Sequence, residues 1–310
     1  MFLICGEALY DVFPVAETAS GFSMDARIGG SPFNVAVGMA RLGRRVAFFT
    51  GLSSDPLGRR LEKALTDEGV DTGYLVKKHN PTTLAVVGLT SSGVPHYTFY
   101  GHEAADRVVT AADLPALPPE VAGLHFGSFS LMVGQTAETL QALARREAAT
   151  RLISLDPNVR LGVEPDAAAW RRCVERYSEI ADIVKVSEED LDLLFPGDSI
   201  DSAIARWHSR GVTLVVVTRG REGAIASLKG EFFEAPGRQV KAVDTVGAGD
   251  TFQAALLCGL EEIGKATKAG LAVLSPEEVR RLIGFAISAA AITCTRRGAD
   301  LPRRGEVPDF

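Results

Sequence analysis

The sequence predicts an α/β fold three layers deep (α/β/α), with a mostly parallel central sheet and a small β-sheet lid, in a single domain over residues 1–310. Three observations carry that prediction. Short apolar runs rich in β-branched residues alternate with longer amphipathic segments, as a sheet built from β-α-β units requires. Two strand-like runs, 83–89 and 94–100, stand too close together for a helix to fit between them. A chain of 310 residues, 46% hydrophobic and 23% charged, has the material for a large core and is not disordered over most of its length.

Taken in order, residues 2–5 (Phe-Leu-Ile-Cys) open the chain as a strand. Residues 12–26 follow, irregular and partly apolar, where a β-α-β unit would place a helix. With the 83–100 hairpin they are assigned to a lid spanning about 12–27 and 82–102. Ser31-Pro32 suits the N-cap and first turn of a helix. That helix is apolar on all sides and so is expected to be buried, and Asn34 must find a hydrogen-bond partner within it. A strand at 46–49 and a helix at 57–68 come next, then the hairpin, with Thr90-Ser91-Ser92-Gly93 as its turn. Helices at 136–149, 166–179 and 199–210 alternate with strands at 152–155, 183–186 and 212–217, and an apolar helical run covers 254–260. Ligands of such sheets collect beyond the carboxyl ends of the strands, so residues just after a strand carry most of the functional weight.

Composition excludes several classes. With 33 Lys+Arg against 39 Asp+Glu the formal charge is −6, and the basic clusters are short, so no nucleic-acid partner is expected. The charge-free stretches 121–137 and 282–295 fall short of the roughly 18 apolar residues a bilayer span needs, so no membrane partner is expected either. No basic n-region or long apolar h-region opens the chain, and its cysteines (5, 173, 258 and 294) lack C-x-x-C spacing. A cytoplasmic location is the expectation.

The strongest chemical signal runs from Asp244 to Phe252 (Asp-Thr-Val-Gly-Ala-Gly-Asp-Thr-Phe) and leads into the 254–260 helix. Gly247, Ala248 and Gly249 let backbone N–H groups at a helix start converge on an anion, and the helix dipole adds a favourable field. Asp250 follows directly, where its carboxylate faces whatever the cradle holds. Capping alone explains an Asp there, but not the whole string. Phosphoryl transfer asks for little more: a positioned hydroxyl, neutralised phosphate charge, and a carboxylate to receive the proton late in the reaction.

The 244–252 string resembles the signature of the ribokinase (PfkB-type) carbohydrate kinases. Residues 29–43 (GGSPFNVAVGMARLG) resemble the family's N-terminal motif, and 51–58 (GLSSDPLG) the segment after it. The likeness runs from Gly6 to about Pro302. It implies a ribokinase-like fold with a β lid, ATP and Mg²⁺ as co-substrates, and transfer of the γ-phosphoryl group to a primary hydroxyl of a small-molecule sugar. Carried over by position, Asp250 with Gly247, Ala248 and Gly249 becomes the catalytic group. Asp11, Gly29, Gly30, Asn34 and Tyr100 become sugar ligands.

On the nucleotide side, Thr218, Gly220 and Gly223 resemble the family's T-x-G-x-x-G loop, a weak signal by itself because glycine after a strand is ordinary turn chemistry. Arg160, in Asp156-Pro157-Asn158-Val159-Arg160, resembles the D-x-N-x-R motif of bacterial sugar kinases. Lys185 ends a strand near the expected phosphates, although solvent is the plainer home for either cation. The family's usual N-x-x-E is replaced by Ser187-Glu188-Glu189-Asp190, which leaves Asp190 as a carboxylate one methylene shorter for a water-bound Mg²⁺. The resemblance also implies a monovalent cation, K⁺, near Asp244 and residues 296–298, and a homodimer formed through the lid.

The form Gly29-Gly30-Ser31-Pro32-Phe33-Asn34 is similar to that of fructokinases, so conversion of D-fructose to fructose 6-phosphate is the expected reaction. The alternatives are a 2-keto-3-deoxygluconate kinase, another sugar or nucleoside kinase of the family, and a sugar-sensing protein on the same fold. Kinases for 2-keto-3-deoxygluconate often carry Arg after the aromatic pair of the lid. Here that position is Gly101, which favours a neutral sugar unless Arg27 or Arg107 supplies a cation.

Overall fold

The first strand, β1 (Phe2–Cys5), sends Phe2 and Ile4 into one core and Leu3 and Cys5 into another, because successive side chains leave a strand on opposite faces. It lies within a nine-stranded sheet. The computed structural model, which describes residues 1–89 and 95–310, covers both faces of that sheet with helices.

After β1 the chain leaves the sheet as a hairpin, β2 (Leu9–Thr18) and β3 (Gly21–Gly29), which corrects the expectation that 12–26 is irregular. A register shift between Pro14 and Ala16 breaks the alternation there, and Val15, Phe22 and Met24 point outward, so the period-two signal is lost. Helix α1 (Ser31–Arg41) is buried through Met39, as its all-round apolarity requires. Its N-cap, however, is Gly30, without a side-chain cap, and not Ser31. Then come β4 (Val46–Ser53), α2 (Pro56–Asp67) and β5 (Leu75–Lys78); Asp55 caps α2 by accepting from the Gly58 N–H. Strands β6 (Leu84–Leu89) and β7 (Pro95–Tyr100) complete a separate four-stranded sheet in the order β3-β2-β6-β7. The turn expected at Thr90-Ser91-Ser92-Gly93 lies outside the described residues.

The remainder alternates as expected: β8 (Gly123–Gly127), α3 (Gly134–Glu147), β9 (Leu152–Asp156), α4 (Ala167–Ser178), β10 (Ile183–Ser187), α5 (Glu188–Leu194), α6 (Ile200–His208) and β11 (Leu214–Thr218). An antiparallel pair follows, β12 (Ala224–Leu228) and β13 (Glu231–Ala235), and then α7 (Ala248–Glu262), α8 (Lys268–Ala272) and α9 (Pro276–Cys294). The main sheet runs β13-β12-β11-β10-β9-β8-β1-β4-β5, parallel from β11 to β5. Helices α1, α2, α7, α8 and α9 pack on one face and α3 to α6 on the other, each over its own core. Among the described residues no helix is long and apolar enough to cross a membrane.

This topology decides where chemistry gathers. The neighbouring carboxyl ends of β11, β10, β9, β8 and β1 bring Thr218, Ser187, Asp156, Gly127 and Gly6 to one edge, and the lid strands spring from the same edge at β1.

Candidate active site

Helix α7 begins at a strained turn. Gly247 holds φ at 80°, a left-handed value open to glycine, and a Cβ there would stand 2.7 Å from the Ala299 Cβ. The Ala248 N–H closes the turn onto the Thr245 carbonyl (3.2 Å), so the free first-turn donors fall at Gly249 and Asp250 and not at Ala248. Directly beneath lies Lys185 of β10. Its Nζ stands 3.2 Å from the place a Gly249 Cβ would occupy and pairs with the Asp156 carboxylate at 2.7 Å. The helix start therefore combines unsatisfied N–H groups, the positive end of the dipole and a buried ammonium, all favouring a multiply charged anion.

Asp250 does not cap its own helix. Its Oδ1 accepts from the Ser31 hydroxyl (2.6 Å) and its Oδ2 from the Asn34 amide (2.8 Å), both from the first turn of α1. The carboxylate is 7% exposed and so is fixed in direction, with a second lone pair left on each oxygen. This explains why Ser31 is not the N-cap: its hydroxyl is spent on Asp250. Asn34, expected to meet a sugar, donates from its amide nitrogen to this carboxylate.

On the lid side, Gly29 pairs with Leu9 and lies diagonal to Asp11 across β2 and β3, and a Cβ on Gly29 would collide with the Asp11 carboxylate. Gly30, at φ 105°, lets the chain pass the Glu7 carbonyl, 2.7 Å from where its Cβ would be. Burial pushes the Asp11 carboxyl up to about 6, Arg160 pulls it back, and Asp250 pushes it up, so all three groups share one field. Tyr100 does not join them. Its register partner is Leu84, one residue off the Asp11–Ala85–Phe99 row, so alternation turns it to the opposite face of the lid, where it is 62% exposed.

On the nucleotide side, a pocket of about 470 Å³ runs from Thr218, Gly220 and Gly223 to Ala248 and Gly249, with Val240, Ala291 and Cys294 among its walls. Gly220 (φ 52°) and Gly223 (φ 100°) take conformations that favour glycine. The 218–223 loop and the α7 start are thus two ends of one cavity.

Asp190 sits in the first turn of α5, whose N-cap Ser187 accepts from its N–H. Its carboxylate is buried, accepts from the Val159 N–H (3.1 Å) and is raised above the ordinary value by burial, against the pull of Lys185 and Arg160. It therefore shares one field with Lys185, Arg160 and Asp156. Asp244 serves the backbone: its two oxygens accept from the Val246 and Gly298 N–H groups (3.0 and 2.9 Å), so it ties the loop before α7 to the loop after α9. Among the described residues no group of three or more His, Cys, Asp or Glu side chains converges as a metal site.

Two members of this constellation escaped sequence reasoning. Ser31 passed for a helix cap, because its true partner lies far along the chain. Asp156 stood in view at the head of the segment that ends at Arg160, yet drew no role. It is buried, and burial raises its carboxyl to about 6 against the pull of Lys185. Of the two candidate cations, Arg27 is paired with Asp25 (2.7 Å) over the Phe13 ring. Arg107 has no ion-pair partner among the described residues.

Comparison with known proteins identifies the family. The sequence profile of the pfkB family carbohydrate kinases matches residues 2–304. A fructokinase of Rhizobium leguminosarum bv. trifolii is 40% identical over 280 residues, 90% of this chain and 86% of that protein. The fructokinase of Xylella fastidiosa, solved with bound ATP, superposes with a TM-score of 0.89 at 28% identity, covering 98% of this chain and 96% of the other. The fructokinase of Vibrio cholerae O395, solved with fructose, ADP and calcium ion, gives a TM-score of 0.80 at 30% identity, over 96% and 94%.

Proposed function

The chain belongs to the pfkB family of carbohydrate kinases, and from that premise we propose that it transfers the γ-phosphoryl group of ATP to the 6-hydroxyl of D-fructose. The observation that carries the reading is the direction of Asp250: one carboxylate, held by Ser31 and Asn34, between the Asp11 side of the cleft and the Lys185-backed start of α7. The fructokinase relatives, one solved with ATP and another with fructose and ADP, favour this acceptor and donor.

In this reading Asp11 and the Gly29-Gly30 backbone receive sugar hydroxyls and turn the primary hydroxyl toward Asp250. ATP lies in the 470 Å³ pocket, with Thr218, Gly220 and Gly223 at one end and its terminal phosphate on the Gly249 and Asp250 N–H groups above Lys185. Arg160, poised between Asp11 and Asp190, steadies charge on the transferring group. The sugar oxygen bonds to the γ-phosphorus as the bond to the ADP oxygen breaks, and its proton passes to an Asp250 oxygen and then to solvent. A carboxylate serves as base here because the alcohol becomes acidic only once it begins to bond to phosphorus. The lid closes over the sugar and excludes water that would otherwise hydrolyse ATP.

Mg²⁺ enters as part of the substrate, bound to the ATP phosphates, with Asp190 and Asp156 as carboxylates near it through water. A K⁺ ion would be held by backbone carbonyls of the loops that Asp244 joins. Dimerisation uses the lid, whose edge strand β3 exposes Phe22 and Met24. The site of action is the cytoplasm. The reading is tested by ADP release with fructose, 2-keto-3-deoxygluconate, ribose and adenosine as acceptors. Fructose is expected to give the highest kcat/KM, a preference for another acceptor would replace it, and binding of fructose without ADP release would point to a sensor.

A further inference from the structure

We propose that Arg107 is a specificity-determining ligand of the acceptor, one that donates to uncharged sugar oxygens, and that the glycine at 101 exists to make room for it. The proposal rests on the sugar-kinase reading above and deepens it by naming what distinguishes a neutral sugar from a sugar acid.

Gly101 follows directly on β7, and a Cβ there would stand 2.6 to 2.8 Å from Nη2, Cζ and Nε of Arg107. Its φ lies outside the left-handed region, so the backbone does not demand glycine; the guanidinium lying against it does. The guanidinium carbon also lies 5.2 Å from the centre of the Phe129 ring, which meets Phe99 edge-on at 5.6 Å. The head of Arg107 thus lies between backbone and ring.

In that position Nε and Nη2 are buried and find no acceptor in the protein among the described residues. A buried donor without a partner costs about 1–3 kcal/mol, so a packed arginine held this way implies an acceptor that arrives from outside. The lid gives the direction. Arg27, Asp11, Ala85 and Phe99 form one row across β3, β2, β6 and β7, so their side chains share the face on which Asp11 meets Asp250's field. Ala85, small and buried, separates Asp11 from Phe99, and Phe99 leads through Phe129 to the guanidinium. Asp11 and Arg107 are therefore joined by one row of packed side chains, with an acceptor at one end and a pair of donors at the other.

Charge decides which ligand fits. Glu7 and Asp106, 1% and 3% exposed, each keep one carboxylate oxygen without a partner, and each feels its neighbours: Asp106 raises Glu7, and Arg107 lowers Asp106. Arg107 thus already has the Asp106 carboxyl beside it, and Asp106 has Glu7. A carboxylate on the substrate would bring a third acid into the same buried space, whereas hydroxyl oxygens accept from Nε and Nη2 with no such repulsion.

The test is steady-state kinetics at saturating MgATP, with fructose and 2-keto-3-deoxygluconate, on wild type, Arg107→Met and Gly101→Ala, beside fructose affinity by calorimetry and melting temperature. Methionine keeps the packing on Phe129. Gly101→Ala keeps the charge and pushes only the flexible end of Arg107 aside. In Arg107→Met, KM and Kd for fructose should rise about 10- to 100-fold with kcat within about threefold. Gly101→Ala should move both in the same direction by less, with unchanged melting temperature. Unchanged KM in both variants, or loss confined to kcat, would overturn the proposal, as would a wild type that prefers the sugar acid and loses that preference in Arg107→Met. If wild type phosphorylates neither compound, the fructokinase reading fails and takes this one with it.

Discussion

Asp250 is made useful by two neighbours that lie more than two hundred positions earlier in the chain. Ser31 and Asn34 each donate to one of its oxygens, so in the proposed reaction the carboxylate is oriented before the alcohol attacks. Ser31→Ala removes one of these donors and leaves the other. Turnover with fructose should fall about tenfold while KM changes little, since the hydrogen bond acts on the base and not on sugar binding. A KM effect without a kcat effect would return Ser31 to the role of sugar ligand. The same pair shows what sequence reasoning could not see. Ser-Pro before an apolar run is a sound N-cap signal, but capping is local, and nothing local marks a hydroxyl whose partner lies on a distant helix.

At the scale of the element, the start of α7 carries the account. Gly247 provides the left-handed turn, and Gly249 leaves the approach to Lys185 and the free N–H groups open. Alanine at 249 would place its Cβ 3.2 Å from Lys185 Nζ, where the proposed reaction brings the terminal phosphate. In an exposed helix alanine is favoured over glycine by about 0.5–1 kcal/mol, so Gly249→Ala should keep or raise the melting temperature while kcat/KM for ATP drops at least about tenfold. A parallel loss of stability would mean that the glycine is structural. This element was readable from sequence because its information is contiguous: the glycines, the acid and the apolar run adjoin. The β2–β3 segment was placed in the lid but not read as a hairpin, since its bulge and exposed apolar residues mimic a loop. Tyr100 failed for a related reason. The hairpin was recognised, but which residues face the cleft depends on a register that only the pairing of β6 with β2 fixes.

Across the whole molecule, the strand order sets one field over the cleft. Asp11, Asp156 and Glu7 lie at or near the carboxyl ends of the central strands, and burial raises all three. Glu7 is pushed up to about 7 from an ordinary 4.5, first by burial and further by Asp106. The folded protein therefore holds this proton where the unfolded chain has released it. Its contribution to stability is complete below about pH 4.5 and lost as pH rises through about 7. Glu7 should make the melting temperature of the wild type fall between about pH 4.5 and pH 7, and in Glu7→Gln this part of the slope should disappear. An unchanged slope would show that Glu7 is ionised in the fold at neutral pH.

The central claim, that one carboxylate at the start of α7 takes the proton of the attacking alcohol, is met most directly by Asp250→Asn. Single-turnover phosphorylation of fructose at saturating MgATP should slow about a thousandfold while fructose affinity stays within a few-fold of wild type. Phosphorylation at the wild-type rate would contradict it.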